Sequence, residues 1–313
     1  MRVRLVDFDS KIPNLALMQA SAWHKSQGDE VGFDINDPEK VYVSCIFTKN
    51  ADTARGIATM YPGAEVSLGG SGIDYTWLPE AMQKVKPDYD LYPSTYSLGF
   101  TTRGCIRKCP FCIVNDKEGR LRRWQHVRDF HDERFDRVSL LDNNALGDRT
   151  WFFEQTDWMM EHRLKVDYIG GLDVRLLDEE IAERLKVLKW AANIRFAFDH
   201  VADEPAVVEG IRLLKEAGID IKHNVSFFVL VGFKGSTFDD ALYRCRVLRG
   251  AGTNAYVMRY TRTPELNALA RWANWREFYW STDFEDYKSA DYKRERLKAG
   301  TMHARGAKVS QCL

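Results

Sequence analysis

Three cysteines fall within eight residues, in the run Gly99-Phe100-Thr101-Thr102-Arg103-Gly104-Cys105-Ile106-Arg107-Lys108-Cys109-Pro110-Phe111-Cys112. The spacing is C-x3-C-x2-C. Thiolates are soft ligands that suit zinc or iron–sulfur clusters. A structural zinc site takes four protein ligands, commonly from two paired halves. No second cysteine pair exists here, so His126 and His131 would have to complete it. An electron-transfer ferredoxin supplies a fourth cysteine, and none lies nearby. The third possibility is a [4Fe-4S] cluster held by three cysteines with one iron left open. An open metal position marks a catalytic site. Cys45, Cys245 and Cys312 are scattered singly and read as small hydrophobes or surface thiols.

The elements that position this run alternate between strand and helix. Residues 3–6, 41–47 and 64–68 read as short strands. Between them come a helix opening near Pro13 and stopping at Gly28, and a second helix over 51–60, with a third over 77–85. This is a small Rossmann-like α/β layer. The stretch Pro87–Pro93 reads as a connector. Beyond it, strands are expected at 97–102, 137–141, 166–170, 194–198, 224–230 and 255–259. Helices are expected at 121–135, 149–163, 179–190, 204–217 and 238–250, with Asp203 as the N-cap of the fourth. Six such units give a partial (β/α)6 parallel barrel. A full eight-unit barrel takes roughly 250 residues, and about 170 are available. The fold class is thus α/β: residues 1–90 Rossmann-like, 94–260 the barrel, and 261–313 a helical C-terminal extension.

Composition sets the outer bounds. The chain has 313 residues, 45% hydrophobic and 29% charged, with 45 basic and 45 acidic side chains. Those values suit a globular chain with a real core. Zero net charge gives no whole-chain case for nucleic acid or an anionic membrane. No apolar run reaches the ~20 residues of a membrane helix. The N-terminus lacks a signal-peptide pattern, so a cytoplasmic setting is expected.

The cysteine spacing, the aromatic Phe111 before the third cysteine and the placement after the first barrel strand resemble the radical S-adenosylmethionine superfamily. That resemblance implies a [4Fe-4S] cluster on Cys105, Cys109 and Cys112 whose open iron chelates S-adenosylmethionine. It implies reductive cleavage to a 5′-deoxyadenosyl radical that abstracts hydrogen from a substrate the sequence does not name. It also implies an electron donor such as a flavodoxin or ferredoxin. Carried over position by position, Asp142 and Asn143 after the second strand would hold the amino group, and Arg175 after the third would meet the carboxylate. Asp199, beside His200, would face ribose or substrate, and the backbone around Gly232 would pair with adenine. The first ninety residues resemble a cobalamin-binding domain without its D-x-H-x-x-G motif. Their single histidine, His24, reads as an exposed helix residue. A degenerate domain that binds no cobalamin is expected.

The run Arg271-Trp272-Ala273-Asn274-Trp275-Arg276-Glu277-Phe278-Tyr279-Trp280 interleaves aromatics with arginines. Such a pattern can stack on nucleic acid, but a helix packing its tryptophans across the barrel is the favoured reading. The alternative for the whole chain is a zinc-stabilised nucleic-acid- or protein-binding module without redox catalysis.

Overall fold

The computed structural model describes residues 1–290. Four strands form the first sheet: β1 (Arg2–Asp7), β2 (Glu30–Gly32), β3 (Lys40–Ser44) and β4 (Glu65–Gly69). All pair in parallel, in the order β2-β1-β3-β4. The three-residue β2 was not expected, being too short to show periodicity. The helix Leu15–Ser26 starts one turn position later than Pro13 suggested, because the side chain of Asn14 accepts from Leu17 N and caps it. Gly28, at φ +79°, takes the chain out of that helix in the left-handed conformation. Val3, Leu5, Leu17, Ala20, Tyr42 and Met82 pack together beneath it.

His24 corrects an expectation. It is only 6% exposed. Its Nδ1 lies 2.6 Å from Asp29 and its Nε2 lies 3.1 Å from the Tyr42 hydroxyl. The helix turns this face toward β3, so both ring nitrogens are engaged. The expected helix over 77–85 shrinks to Glu80–Gln83, with Pro79 setting its start.

The remaining strands are β5 (Ser97–Gly99), β6 (Thr102–Arg103), β7 (Arg122–Arg123), β8 (Arg137–Leu140), β9 (Lys165–Tyr168), β10 (Lys189–Trp190), β11 (Ile194–Ala197), β12 (Val225–Val231) and β13 (Asn254–Arg259). One parallel sheet runs β5-β8-β9-β10 and another β11-β12-β13. Between these two sheets the ladder narrows to one parallel bridge, Leu172 with Phe196. Helices Arg149–Glu161, Glu179–Val187, Glu204–Glu216 and Phe238–Gly250 follow their strands. They join one large core that includes Leu140, Phe152, Val166, Phe196 and Phe227. Asp203 occupies the expected N-cap position but makes no side-chain cap bond.

The expected helix over 121–135 is mostly absent. Arg122–Arg123 pairs antiparallel with Thr102–Arg103, and Trp124 N donates to Thr101 O. Helix forms only at Val127–Phe130. Backbone pairing to the strand before the cysteines wins over helical propensity there.

The C-terminal helices Pro264–Asn274 and Arg276–Ser281 pack as favoured above. Trp272 and Tyr279 are fully buried, their rings 5.1 Å apart. Asn274 donates to Val257 O at 3.1 Å and accepts from Val257 N at 2.6 Å, covering the free edge of β13. The part of the expected extension beyond 290, including Cys312, lies outside the described residues. No helix among the described residues is long and apolar enough to cross a membrane.

Arg244, 1% exposed, ties two strand ends together. Its guanidinium donates to Phe198 O at 2.6 Å and Leu230 O at 3.0 Å. Hydrogen bonds from a charged donor contribute about 1.5–3 kcal/mol each. Arg244→Met is therefore expected to lower stability by about 2–4 kcal/mol. The urea midpoint measures this, and an unchanged midpoint would remove the clamp from the account.

Candidate metal centre

The cysteine loop is an excursion from a pinned base. Asp142 lies just past β8 and is 1% exposed. Its carboxylate accepts from four donors: Thr101 N at 2.9 Å, Thr101 Oγ1 at 2.5 Å, Thr102 N at 2.6 Å and Thr102 Oγ1 at 2.7 Å. Burial pushes its pKa above the ordinary carboxylate value, against the pull of the threonine donors. Asn143 Oδ1 accepts from Gly104 N at 3.0 Å. Gly104 sits at φ +79°, and a Cβ there would come 2.2 Å from Arg120 O. Only glycine lets the two arms of the hairpin close this tightly. The antiparallel β6–β7 pair closes the base, and Cys105 N donates to Gly119 O.

Cys105, Cys109 and Cys112 are all partly buried on this loop, while Cys45 and Cys245 are fully buried elsewhere. Burial pushes the Cys109 and Cys112 thiols up, and Arg175 pulls Cys109 back. Arg107 N donates to Cys105 Sγ at 3.3 Å, and Asn144 Nδ2 lies 3.5 Å from the same sulfur. The other end of that amide, Asn144 Oδ1, is buried with no hydrogen-bond partner. Among the described residues no group of three or more His, Cys, Asp or Glu side chains is gathered tightly enough to hold one metal ion. A cubane cluster makes a different demand, since each thiolate binds its own iron around a cube.

The expected cofactor residues fall into two groups. Asp142 and Asn143 hold the loop base with their side chains, three of the four donors to Asp142 meeting Oδ1 and one meeting Oδ2. Their neighbour Asn144 carries a buried acceptor without a hydrogen-bond partner. Arg175 does reach the loop's surroundings. Its Nε donates to Asp173 at 2.7 Å, and its Nη1 is 3.5 Å from Asp203. Asp173 also accepts from Arg107 Nε at 2.8 Å and Asn144 Nδ2 at 3.2 Å. Burial raises the Asp173 carboxyl, but Arg175 and Arg107 outweigh it and hold the group below the usual range. Asp199 accepts from Leu230 N at 2.8 Å, and burial raises its pKa. His200 caps the short turn after it through Ala202 N. Phe111 meets Phe233 edge-on at 5.7 Å, and Phe233 meets Tyr260 at 5.0 Å. Gly232 turns at φ +77°, and a Cβ there would strike Thr261 and Leu266. Sequence reading passed over Asn144, Asp173 and Arg107 as a linked set, since they lie on three separate loops. The charged spacing Asp173-Val174-Arg175 was the one local signal.

Solved structures that share this architecture include two of one enzyme. The fold is similar to that of TsrM. One is the Kitasatospora setae radical S-adenosylmethionine methyltransferase TsrM with cobalamin and a [4Fe-4S] cluster bound. It has TM-score 0.62 and 13% identity, covering 84% of this chain and 75% of that one. The other is TsrM with tryptophan substrate and the analogue aza-S-adenosylmethionine, at TM-score 0.61 and 14% identity, covering 82% and 72%. The TsrM structure holds cobalamin, so the expectation that the present chain takes none draws no support from this likeness. No family model and no curated protein sequence matches the chain.

Two measurements test the site. Asp142→Ala leaves four neutral donors unanswered in the interior, at about 1–3 kcal/mol for each that stays unsatisfied. It should fall in thermal stability and fail to retain iron on reconstitution, whereas a normal iron content would show that the loop orders without it. For Asp173 the folded pKa is depressed. Its stabilisation is therefore present above the ordinary aspartate value of about 3.9 and lost as pH falls through the folded value. The stability gap between wild type and Asp173→Asn should narrow below about pH 4 and stay constant from pH 5 to 8.

Proposed function

We propose that this chain is a radical S-adenosylmethionine enzyme with one [4Fe-4S] cluster on Cys105, Cys109 and Cys112. The observation that carries the reading is the cysteine loop itself: three partly buried thiols on a hairpin fixed by Asp142, Asn143 and Gly104 at the mouth of six parallel strands. The likeness in fold to TsrM supports it. We take the two parallel sheets as one open (β/α)6 barrel over residues 94–260, preceded by a Rossmann-like unit at 1–90 and followed by the extension from 261.

The donor set fits the cluster, since thiolates are its ordinary ligands and a loop with three of them leaves one iron without a protein ligand. When bound, the cluster supplies the electron that cleaves S-adenosylmethionine to a hydrogen-abstracting 5′-deoxyadenosyl radical. The chain's own residues do the placing. Asn144 Oδ1 offers a buried acceptor beside Cys105, suited to an ammonium group. Arg175, held by Asp173 and Asp203, offers a cation suited to a carboxylate. Asp199 and the Gly232 turn stand at the ends of β11 and β12, where ribose and adenine would lie. Phe111, Phe233 and Tyr260 form a partly exposed aromatic patch beside them. A low-potential flavodoxin or ferredoxin is the proposed donor. For a corrinoid the residues offer less. Both nitrogens of His24 are taken, and among the described residues no histidine lines the cavity beside the first sheet.

Anaerobically reconstituted protein should be brown, with about four irons and four sulfides per chain, and should form 5′-deoxyadenosine from S-adenosylmethionine under dithionite. Alanine at Cys105, Cys109 or Cys112 should abolish both. Alanine at Cys45 or Cys245 should change neither. Asn144→Ala and Arg175→Ala should keep the iron but bind S-adenosylmethionine at least tenfold more weakly. One zinc per chain with no visible absorbance would establish the zinc-module reading instead.

A further inference from the structure

A cavity of about 600 Å³ lies between the first sheet and the strand ends that carry the cysteine loop. Small-molecule sites run from about 300 to 1,000 Å³. Its near side follows the ends of β3 and β4, through Ser44, Ser67 and Gly70. Its far side is Phe100, Arg103, Lys117 and Leu141. Arg103 directly precedes Gly104 and Cys105, so anything filling the cavity abuts the loop that bears the thiols. The first ninety residues thus supply half the wall of a chamber next to the proposed radical source.

The chamber's chemistry is uneven. Leu17, Tyr42, Phe47, Trp77, Leu78 and Phe100 give it apolar and aromatic sides. Among the described residues its charged lining is Lys11, Lys40, Arg103 and Lys117 against the single carboxylate of Asp74. Lys40 is spent on Glu65 at 2.7 Å. Arg103 and Lys117 are different. The guanidinium of Arg103 is stacked between Trp77 and Phe100, 4.3 and 4.2 Å from their ring centres. It donates to Gln83 Oε1 at 2.7 Å, but its Nε is buried with no partner. Glu118, 3.8 Å from that nitrogen and 3.7 Å from Lys117 Nζ, also keeps one buried oxygen without a partner. Lys117 reaches across to Ser71 Oγ at 2.9 Å, joining the cysteine loop to the glycine-rich turn after β4. Two cations thus share one carboxylate at the inner end.

We propose that this cavity binds a small organic anion with a planar apolar body, its anionic group set against Lys117 and Arg103 and its body between Trp77 and Tyr42. Resting on the radical-enzyme reading above, that anion is the substrate. Lys117 and Trp77 are then specificity residues, and the role of the N-terminal sheet is to build the substrate chamber.

The test is calorimetric titration of the full-length chain, before and after anaerobic reconstitution, with 2-naphthoate, 2-naphthyl phosphate and the neutral 2-naphthylmethanol. One anion per chain is expected. The alcohol should bind at least tenfold more weakly than the better anion, and whichever anion binds tighter identifies the headgroup. Lys117→Met should erase the anion's advantage, and Lys117→Arg should restore it, which separates lost charge from lost folding. Trp77→Ala should weaken all three probes. The anions should bind before reconstitution as well as after it, so failure of the cluster leaves the pocket result standing, and failure of the pocket leaves the cluster result standing. Equal affinity for anion and alcohol, absence of saturable binding, or hydroxocobalamin uptake that displaces 2-naphthoate would each overturn the proposal.

Discussion

Four donors converge on the buried carboxylate of Asp142, and the placement of everything around the cysteines depends on that convergence. Two of the donors are backbone amides of consecutive residues, Thr101 and Thr102, at the point where the chain leaves β5. Fixing both sets the direction in which Arg103 and Gly104 must depart. Gly104 then turns through a conformation closed to other residues, and Asn143, the next residue along from Asp142, receives its amide. A single β8-end dipeptide therefore determines where the thiol loop starts. A charge so deeply buried is tolerable because every partner is a donor.

The rim of the site follows a second rule, the sharing of one acid between several cations. Asp173 serves Arg107 from the cysteine loop, Arg175 from its own turn and Asn144 from the β8 loop. Three loops that are far apart in sequence become one surface through a single side chain. Glu118 acts in the same way between Arg103 and Lys117. In each case the acid is more buried than the bases it serves, so the bases keep their outer edges available to a bound molecule.

Much of this was legible in the sequence. All six principal strands of the second region lie where alternation and turn residues placed them, because parallel strands buried on both faces read as continuous apolar runs. The cysteine spacing was equally plain. Two of the misreadings share one cause, contact with a distant segment. Leu121 to Gln125 has helical composition, but pairing with Thr102–Arg103 draws it out. His24 has polar neighbours in sequence, but the sheet beneath supplies Tyr42. The part Asp142 plays in the loop base was not legible beside its own strand, because the two threonines it binds lie about forty residues upstream. Asn144 was inconspicuous beside Asp142 and Asn143, and its open acceptor emerges only once its other contacts are known.

The narrowing of the parallel ladder between β9 and β11 has a consequence for how the molecule breathes. There a single bridge, with Leu172 N on Arg195 O at 2.7 Å, replaces a run of paired residues. The join is reinforced by the side chain of Arg195, which reaches Asp167 and Tyr168 O on β9. Backbone ladders open cooperatively, whereas a side-chain stitch opens by itself. The seam is thus the boundary at which one bridge and that stitch join the two halves of the strand array. One holds the cysteine loop and the Asp173 rim, and the other holds Asp199, the Gly232 turn and the C-terminal helices. A ligand spanning the mouth from Arg175 to Gly232 would bridge that boundary and hold both halves at once.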